Sequence, residues 1–222
     1  MHSLNSRYSL FMRIPLLQGI SSRELLDWEE KLRLDLDDFP ASDVPLIRQG
    51  DACTGLLCLL DGTLERRHSA EDGTYQTRSY LTAPAIIEAD RLFGLHPKYT
   101  SSYRATTEVT LLSLRKQWIN NHMMKNDVFR INLLNLLSAC AQKRADALMP
   151  QPQETAEQRL RAMLHALFGN DQSKAELTIQ MKTLARYIGA TRLATSKILH
   201  QWDKEGLIRL GRGHFDILKI KN

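Results

Sequence analysis

The stretch LARYIGATRLATSKILHQWDKEGLI, Leu184 to Ile208, limits what this chain can fold into more than any other feature. It parses as helix, turn, helix. Leu184, Ala185 and Ile188 give a first helix one inward apolar face, Gly189 supplies a turn where a side chain would clash, and Thr191 is a good N-cap for a second helix. In that second helix Ile198, Leu199 and Trp202 point to a core, leaving Arg192, Leu193, Ser196, Lys197 and His200 on the outer face. Gly206 ends it. Leu207 to Leu210 and Phe215 to Ile220 then read as two β-rich runs joined by Gly211-Arg212-Gly213-His214, which is the pattern of a wing.

A helix that enters the DNA major groove presents its N-terminal half to base edges, so Arg192, Leu193, Ser196 and Lys197 are placed to read sequence. The backbone at Thr191 favours a nearby phosphate through the helix dipole, and His200 continues the same outer face. Arg212, in the wing tip, has no helix to aim it at a base and is assigned to phosphate. Charge supports this reading. Residues 1–149 balance 18 Lys and Arg against 18 Asp and Glu, whereas 150–222 carry 12 against 7, so the whole net charge of +5 lies in the final third. That surplus suits a polyanion such as double-stranded DNA; a winged helix that grips protein would not need it.

The 222 residues suffice for two domains of the usual ~100–150 residues. At 43% hydrophobic and 25% charged, the chain has a globular balance that excludes a disordered or fibrous class. The longest uninterrupted apolar stretch, Leu56 to Leu60, is far short of the ~20 residues that span a bilayer, so neither a transmembrane helix nor a signal peptide is expected. Three cysteines without a CxxC pair point to a reducing compartment, the cytoplasm.

Upstream, Ser21 and Glu24 have capping-box spacing, which predicts a helix over Ser22 to Leu34. From Val44 the texture changes to short runs that read as strands: Val44 to Ile47, Leu56 to Leu60, Thr63 to Arg67, Tyr75 to Leu81, Ser102 to Thr106 and Val109 to Leu114. Asp61-Gly62 and Asp72-Gly73 fall between runs and suit tight hairpins. An antiparallel barrel or sandwich is expected. Asn126 or Asp127 then caps a long helix to about Leu148, in which Ile131, Leu134, Ser138, Ala141, Ala145 and Leu148 form a coiled-coil-like seam. A second apolar row, Phe129, Leu133, Leu136, Leu137 and Cys140, lies on an adjacent face. One face then packs on the barrel and the other on a second copy; the alternative is one broad face buried within a monomer. Pro150 to Gln153 read as a hinge. The expected class is α+β, with a β-barrel sensor domain over 1–125, a dimerisation helix over 126–149 and a winged helix over 150–222.

The sequence resembles the Crp/Fnr family of bacterial regulators across nearly its whole length. The resemblance is carried by the helix-turn-helix, by ETAEQRLRAMLHAL (Glu154 to Leu167), by EGLIRLGRGHFDIL (Glu205 to Leu218), and by RQGD (Arg48 to Asp51) with LLDG (Leu59 to Gly62). It implies a cyclic-nucleotide-binding-type jelly roll, a homodimer on a pseudo-palindromic operator, and RNA polymerase as a partner. Family members commonly carry Arg, Glu and Arg along the recognition helix; here Arg192 keeps the first, Leu193 replaces the Glu and Lys197 replaces the last. Because Glu accepts from cytosine N4 and Leu does not, the operator is expected to differ from the family's best-known half-site.

The resemblance also locates an effector pocket. The family holds a cyclic-nucleotide ribose with Gly-Glu and its phosphate with Arg-Ser. Here Glu88 follows Ile87, and Tyr99-Thr100 stand where Arg-Ser would be, which disfavours cyclic AMP or GMP because the phosphate charge loses its partner. Lys143 and Arg144 stand where small hydroxyl residues approach the base. Arg91 and Arg104 are the cations that remain to supply a charge from another direction. An unidentified small-molecule effector, or none, is therefore expected. The thiolates for an iron–sulfur cluster are lacking, since only Cys53, Cys58 and Cys140 are present. Haem ligation through His68, His96, His122 or a cysteine competes with plain surface polarity. On a continuous strand Cys53 and Cys58 would lie ~16 Å apart, too far for a disulfide. The histidines form no His-x-His pair with a following Glu, so no metal site, cofactor or catalytic residue is assigned, and a barrel metalloenzyme is disfavoured.

Overall fold

Ser21 and Glu24 close the box that their spacing predicts: Ser21 Oγ accepts the Glu24 N–H at 3.2 Å, and the Glu24 carboxylate accepts the Ser21 hydroxyl at 2.8 Å. Helix α1 follows as Ser22–Leu32. In this computed structural model the described residues are 9, 11–32, 35–148, 155–169 and 174–219. They fall into two units, one formed by 1–64 with 81–141 and the other by 65–80 with 142–222.

In the first unit β1 (Asp35–Phe39), β2 (Gly55–Asp61), β5 (Ala85–Ile87) and β7 (Val109–Arg115) make an antiparallel sheet in the order β1-β7-β2-β5. Strand β2 is buried almost throughout, which its continuous apolar run requires. The chain turns at Gly62 (φ +85°) into β3 (Thr63–Ser69), and at Gly73 (φ +67°) into β4 (Tyr75–Thr82); β6 is Ser102–Ala105. Both Asp-Gly turns are where the sequence puts them.

Two expectations need correction, and one strand escapes the sequence reading. The sheet β1-β7-β2-β5 is open at both edges, so the described strands do not close into a barrel. Val44 to Ile47 is not a strand; only Ile47 bridges, to Tyr103, because Pro45 has no N–H to offer a ladder. The strand that the sequence reading does not single out is Asp35–Phe39. Its aspartates argue against a strand, yet it pairs along its whole length with β7, and the Thr110 hydroxyl donates to Asp38 Oδ1 at 2.7 Å.

After α2 (Lys116–Asn121), the long helix α3 spans Asp127–Leu148. Its cap is Asn126, whose Oδ1 accepts the Phe129 N–H at 2.9 Å. Phe129 and Leu133 are fully buried, and Leu136 and Leu137 pack half-buried against the same core. The adjacent face is bare: Ile131 and Leu134 are each 56% exposed, and Ser138, Ala141 and Ala145 are exposed as well. The Leu148 side chain and the hinge 150–153 lie outside the described residues.

The second unit contains α4 (Ala156–Phe168), β8 (Ala175–Ile179), α5 (Met181–Tyr187), α6 (Arg192–Lys204), β9 (Ile208–Leu210) and β10 (His214–Ile217). Thr155 and Gln158 form a capping box at the start of α4. Strand β8 escapes the sequence reading. It lies between β10 and β4, with Tyr75 opposite Ile179 and Arg78 opposite Glu176. Leu160, Leu164, Leu177, Leu184, Ile188 and Trp202 form this unit's core. No helix among the described residues is long and apolar enough to cross a membrane.

The Phe129 ring, 0% exposed, meets Trp28 edge to face at 6.0 Å and joins α1 to α3. Phe129→Ala is expected to lower the unfolding free energy by about 3–5 kcal/mol, as measured by urea denaturation.

Candidate nucleic-acid interface and sensor pocket

The connection between α5 and α6 is held from three directions. Gly189 takes φ +60°, a conformation that side-chain-bearing residues rarely adopt, and the Ala190 N–H donates back to the Ala185 carbonyl at 2.9 Å. Arg159, from α4, donates to the Ile188 carbonyl at 2.6 Å, so this guanidinium satisfies an acceptor that the end of α5 leaves bare. Thr191 then caps α6, its hydroxyl oxygen accepting the Ala194 N–H at 3.1 Å. Sequence reasoning finds the glycine and the cap. It misses Arg159, which is distant in sequence and carries no local signal.

Burial fixes the rotation of α6 about its own axis. Leu199 and Trp202 are 3% and 1% exposed, Ile198 is half-buried, and Thr195, fully buried, satisfies its hydroxyl on the Thr191 carbonyl at 2.9 Å. Trp202 Nε1 donates to the Glu157 carboxylate at 2.9 Å, and the Arg161 guanidinium lies 5.0 Å from the ring centroid. With that face anchored, Arg192, Leu193, Lys197 and His200 are exposed and Ser196 is half-buried. Leu193 is 68% exposed, an apolar side chain held out in water at the N-terminal end of the helix. Arg212 is exposed in the turn between β9 and β10. Lys182 and Arg186 on α5 add two exposed cations that the sequence reading did not single out.

Of the expected effector residues, Tyr99 lines a cleft in the first unit, and Glu88 and the two arginines have partners within the protein. Glu88, at φ 39°, accepts the Thr100 N–H on Oε2 at 2.6 Å and the Tyr103 hydroxyl on Oε1 at 3.0 Å. Its carboxylate is thus engaged on both oxygens, by the Thr100 backbone and by Tyr103 on β6. Tyr99 is buried, and burial holds its phenol well above the ordinary tyrosine range. Arg104 pairs with Asp43, and Arg91 lies 3.3 Å from Asp90. A cleft of ≈ 240 Å³ in this unit is lined by Leu46, Asp51, Tyr99 and Arg115 among others, and Glu88, Arg91, Thr100 and Arg104 are not part of its wall. The cysteines are free, and burial pushes the Cys58 thiol up to about 12, which leaves it protonated and inert near neutrality.

Residues 158–222 match the Crp-like helix-turn-helix domain, and residues 39–126 match the cyclic nucleotide-binding domain. A sensor-type β domain followed by a DNA-binding winged helix is the construction of a transcription regulator. The chain belongs to the Crp/Fnr family of such regulators. The catabolite activator protein of Thermus thermophilus is similar in fold at 20% identity, with 91% of this chain and 93% of that one covered and a TM-score of 0.54. The sensor domain of the transcriptional regulator DNR from Pseudomonas aeruginosa is similar at 16% identity, covering 69% of this chain and all of that one, with a TM-score of 0.55. No curated protein matches the chain in sequence.

Proposed function

We propose that this regulator acts as a homodimer on a pseudo-palindromic operator, with α6 in the major groove and the β9–β10 turn on the backbone. The observation that carries the reading is the outer face of α6, where Arg192, Leu193 and Lys197 stand exposed on a helix whose opposite face is anchored by Trp202. Arg192 donates two bonds to guanine, and Leu193 suits a thymine methyl better than a cytosine amine. Thr191, Ser196 and His200 complete the surface, and Arg212 meets phosphate. Two such helices read half-sites about one turn, ~34 Å, apart.

The dimer forms through the bare face of α3, because Ile131 and Leu134 are large apolar groups in water on the helix the family resemblance assigns to dimerisation. Leu134→Glu is expected to give monomers in sedimentation velocity; a variant that still sediments as a dimer refutes the seam. Acting on transcription, the protein works in the cytoplasm beside RNA polymerase. It is a binding protein and not an enzyme.

The effector, where there is one, is a small molecule other than cyclic AMP. Glu88 already uses the Thr100 N–H, a donor that a nucleotide phosphate would need, and both candidate cations are engaged by aspartates. Calorimetry with cyclic AMP is expected to give no heat of binding, and micromolar affinity would overturn the assignment.

Base reading and phosphate anchoring separate in a salt titration. Arg192→Ala is expected to lose ~1–3 kcal/mol on a selected operator and little on random DNA. Arg212→Ala weakens both alike and lowers the slope of log K against log salt by ~0.9 for each phosphate that the arginine neutralises. The reverse pattern would exchange the two roles. Failure of the wild type to bind heparin or DNA favours the rival reading, a winged helix that grips protein.

A further inference from the structure

Three donor side chains from two strands come together on the sheet of the second unit. Glu176 lies on β8 and is directly opposite Asp216 on β10, and His214, two residues earlier on β10, is opposite Thr178. One ligand atom from each of Glu176, His214 and Asp216 lies within 4.8 Å of the other two, and all three residues are half-buried. We propose that these residues form a binding site for a first-row divalent cation of the zinc class.

The arrangement favours a cation on three counts. Two carboxylates stand directly opposed on neighbouring strands, with one of them paired to Arg78, and a metal cation between them would cross-link β8 to β10. Arg78 on β4 takes Glu176 Oε2, and among the described residues the partner recorded for Oε1 is the Thr178 hydroxyl, at 3.5 Å; Arg78 thus orients the ligand carboxylate in the way outer groups orient metal ligands. Finally, the His214 ring lies over Gly211. A Cβ at that position would stand 2.4 Å from the ring Cε1 and Nε2, so this glycine is what lets the imidazole lie where it does.

One imidazole and two carboxylates are a donor set that zinc accepts and that calcium or magnesium, which take oxygen, do not prefer. Tetrahedral bonds of ~2.0–2.1 Å put ligand atoms about 3.3 Å apart, so the site closes by small side-chain rotations, with water in the fourth position.

The test uses the full chain, stripped with chelator and titrated with zinc chloride alone. The expected result is one zinc per chain with a Kd of about 1 μM or tighter. His214→Gln and Asp216→Asn should each weaken binding at least ~10-fold, with His96→Gln as the unaffected control. Absence of binding, or unchanged affinity in both site variants, overturns the proposal. Should the variants fail to fold, Co²⁺ on the wild-type protein decides: visible bands of nitrogen and oxygen coordination support the site. An intense thiolate charge-transfer band places the metal on cysteine and refutes it.

Discussion

The link between α5 and α6 governs everything the C-terminal unit does. A recognition helix is useful only if its angle to the rest of the domain is fixed, because the groove admits it in a narrow range of poses. Here the angle rests on a glycine at positive φ, an arginine from a third helix that takes up an orphaned carbonyl, and a threonine cap. Trp202, fully buried yet satisfied through its indole nitrogen, prevents α6 from turning about its axis. The exposed row from Arg192 to His200 follows from these constraints on the opposite side.

The sensor-type unit commits polar groups to its own fold. The Glu88 carboxylate, which the resemblance assigns to a ribose, accepts from the Thr100 N–H and from the Tyr103 hydroxyl on β6. Desolvating that carboxylate without partners would be costly, and the Thr100 backbone and the Tyr103 side chain supply them. Phe129, Leu133 and Trp28 meanwhile commit one face of α3 to this unit's interior. The adjacent face of that helix, with Ile131 and Leu134, is exposed.

What could be read from the sequence were features whose signal is local. Capping residues at Ser21 and Thr191, the Asp-Gly turns and the 3.6-residue periodicity of α6 and α3 all announce themselves within a few positions. Strand β1 did not, because its stability comes from the neighbouring β7 and not from Asp35 to Phe39 themselves. Strand β8 was hidden for the same reason. Short alternating runs and Asp-Gly turns predict an antiparallel barrel or sandwich, but they do not determine whether the sheet edges meet. Arg159 and the Glu176, His214 and Asp216 cluster depend on tertiary approach, and pattern alone carries no trace of it.

Strand β4, contributed by a hairpin from far upstream, completes the hydrogen bonding of β8. The C-terminal third is therefore not a cassette that can be cut out at a linker and moved to another protein. An excised fragment beginning near Pro150 would carry a naked strand edge with unpaired amides and a half-buried Glu176 stripped of Arg78, a surface inviting edge-to-edge association. Chimeras built from this chain should carry residues 65–80 along with the winged helix, so that the fragment's solubility travels with a segment that its own sequence does not contain.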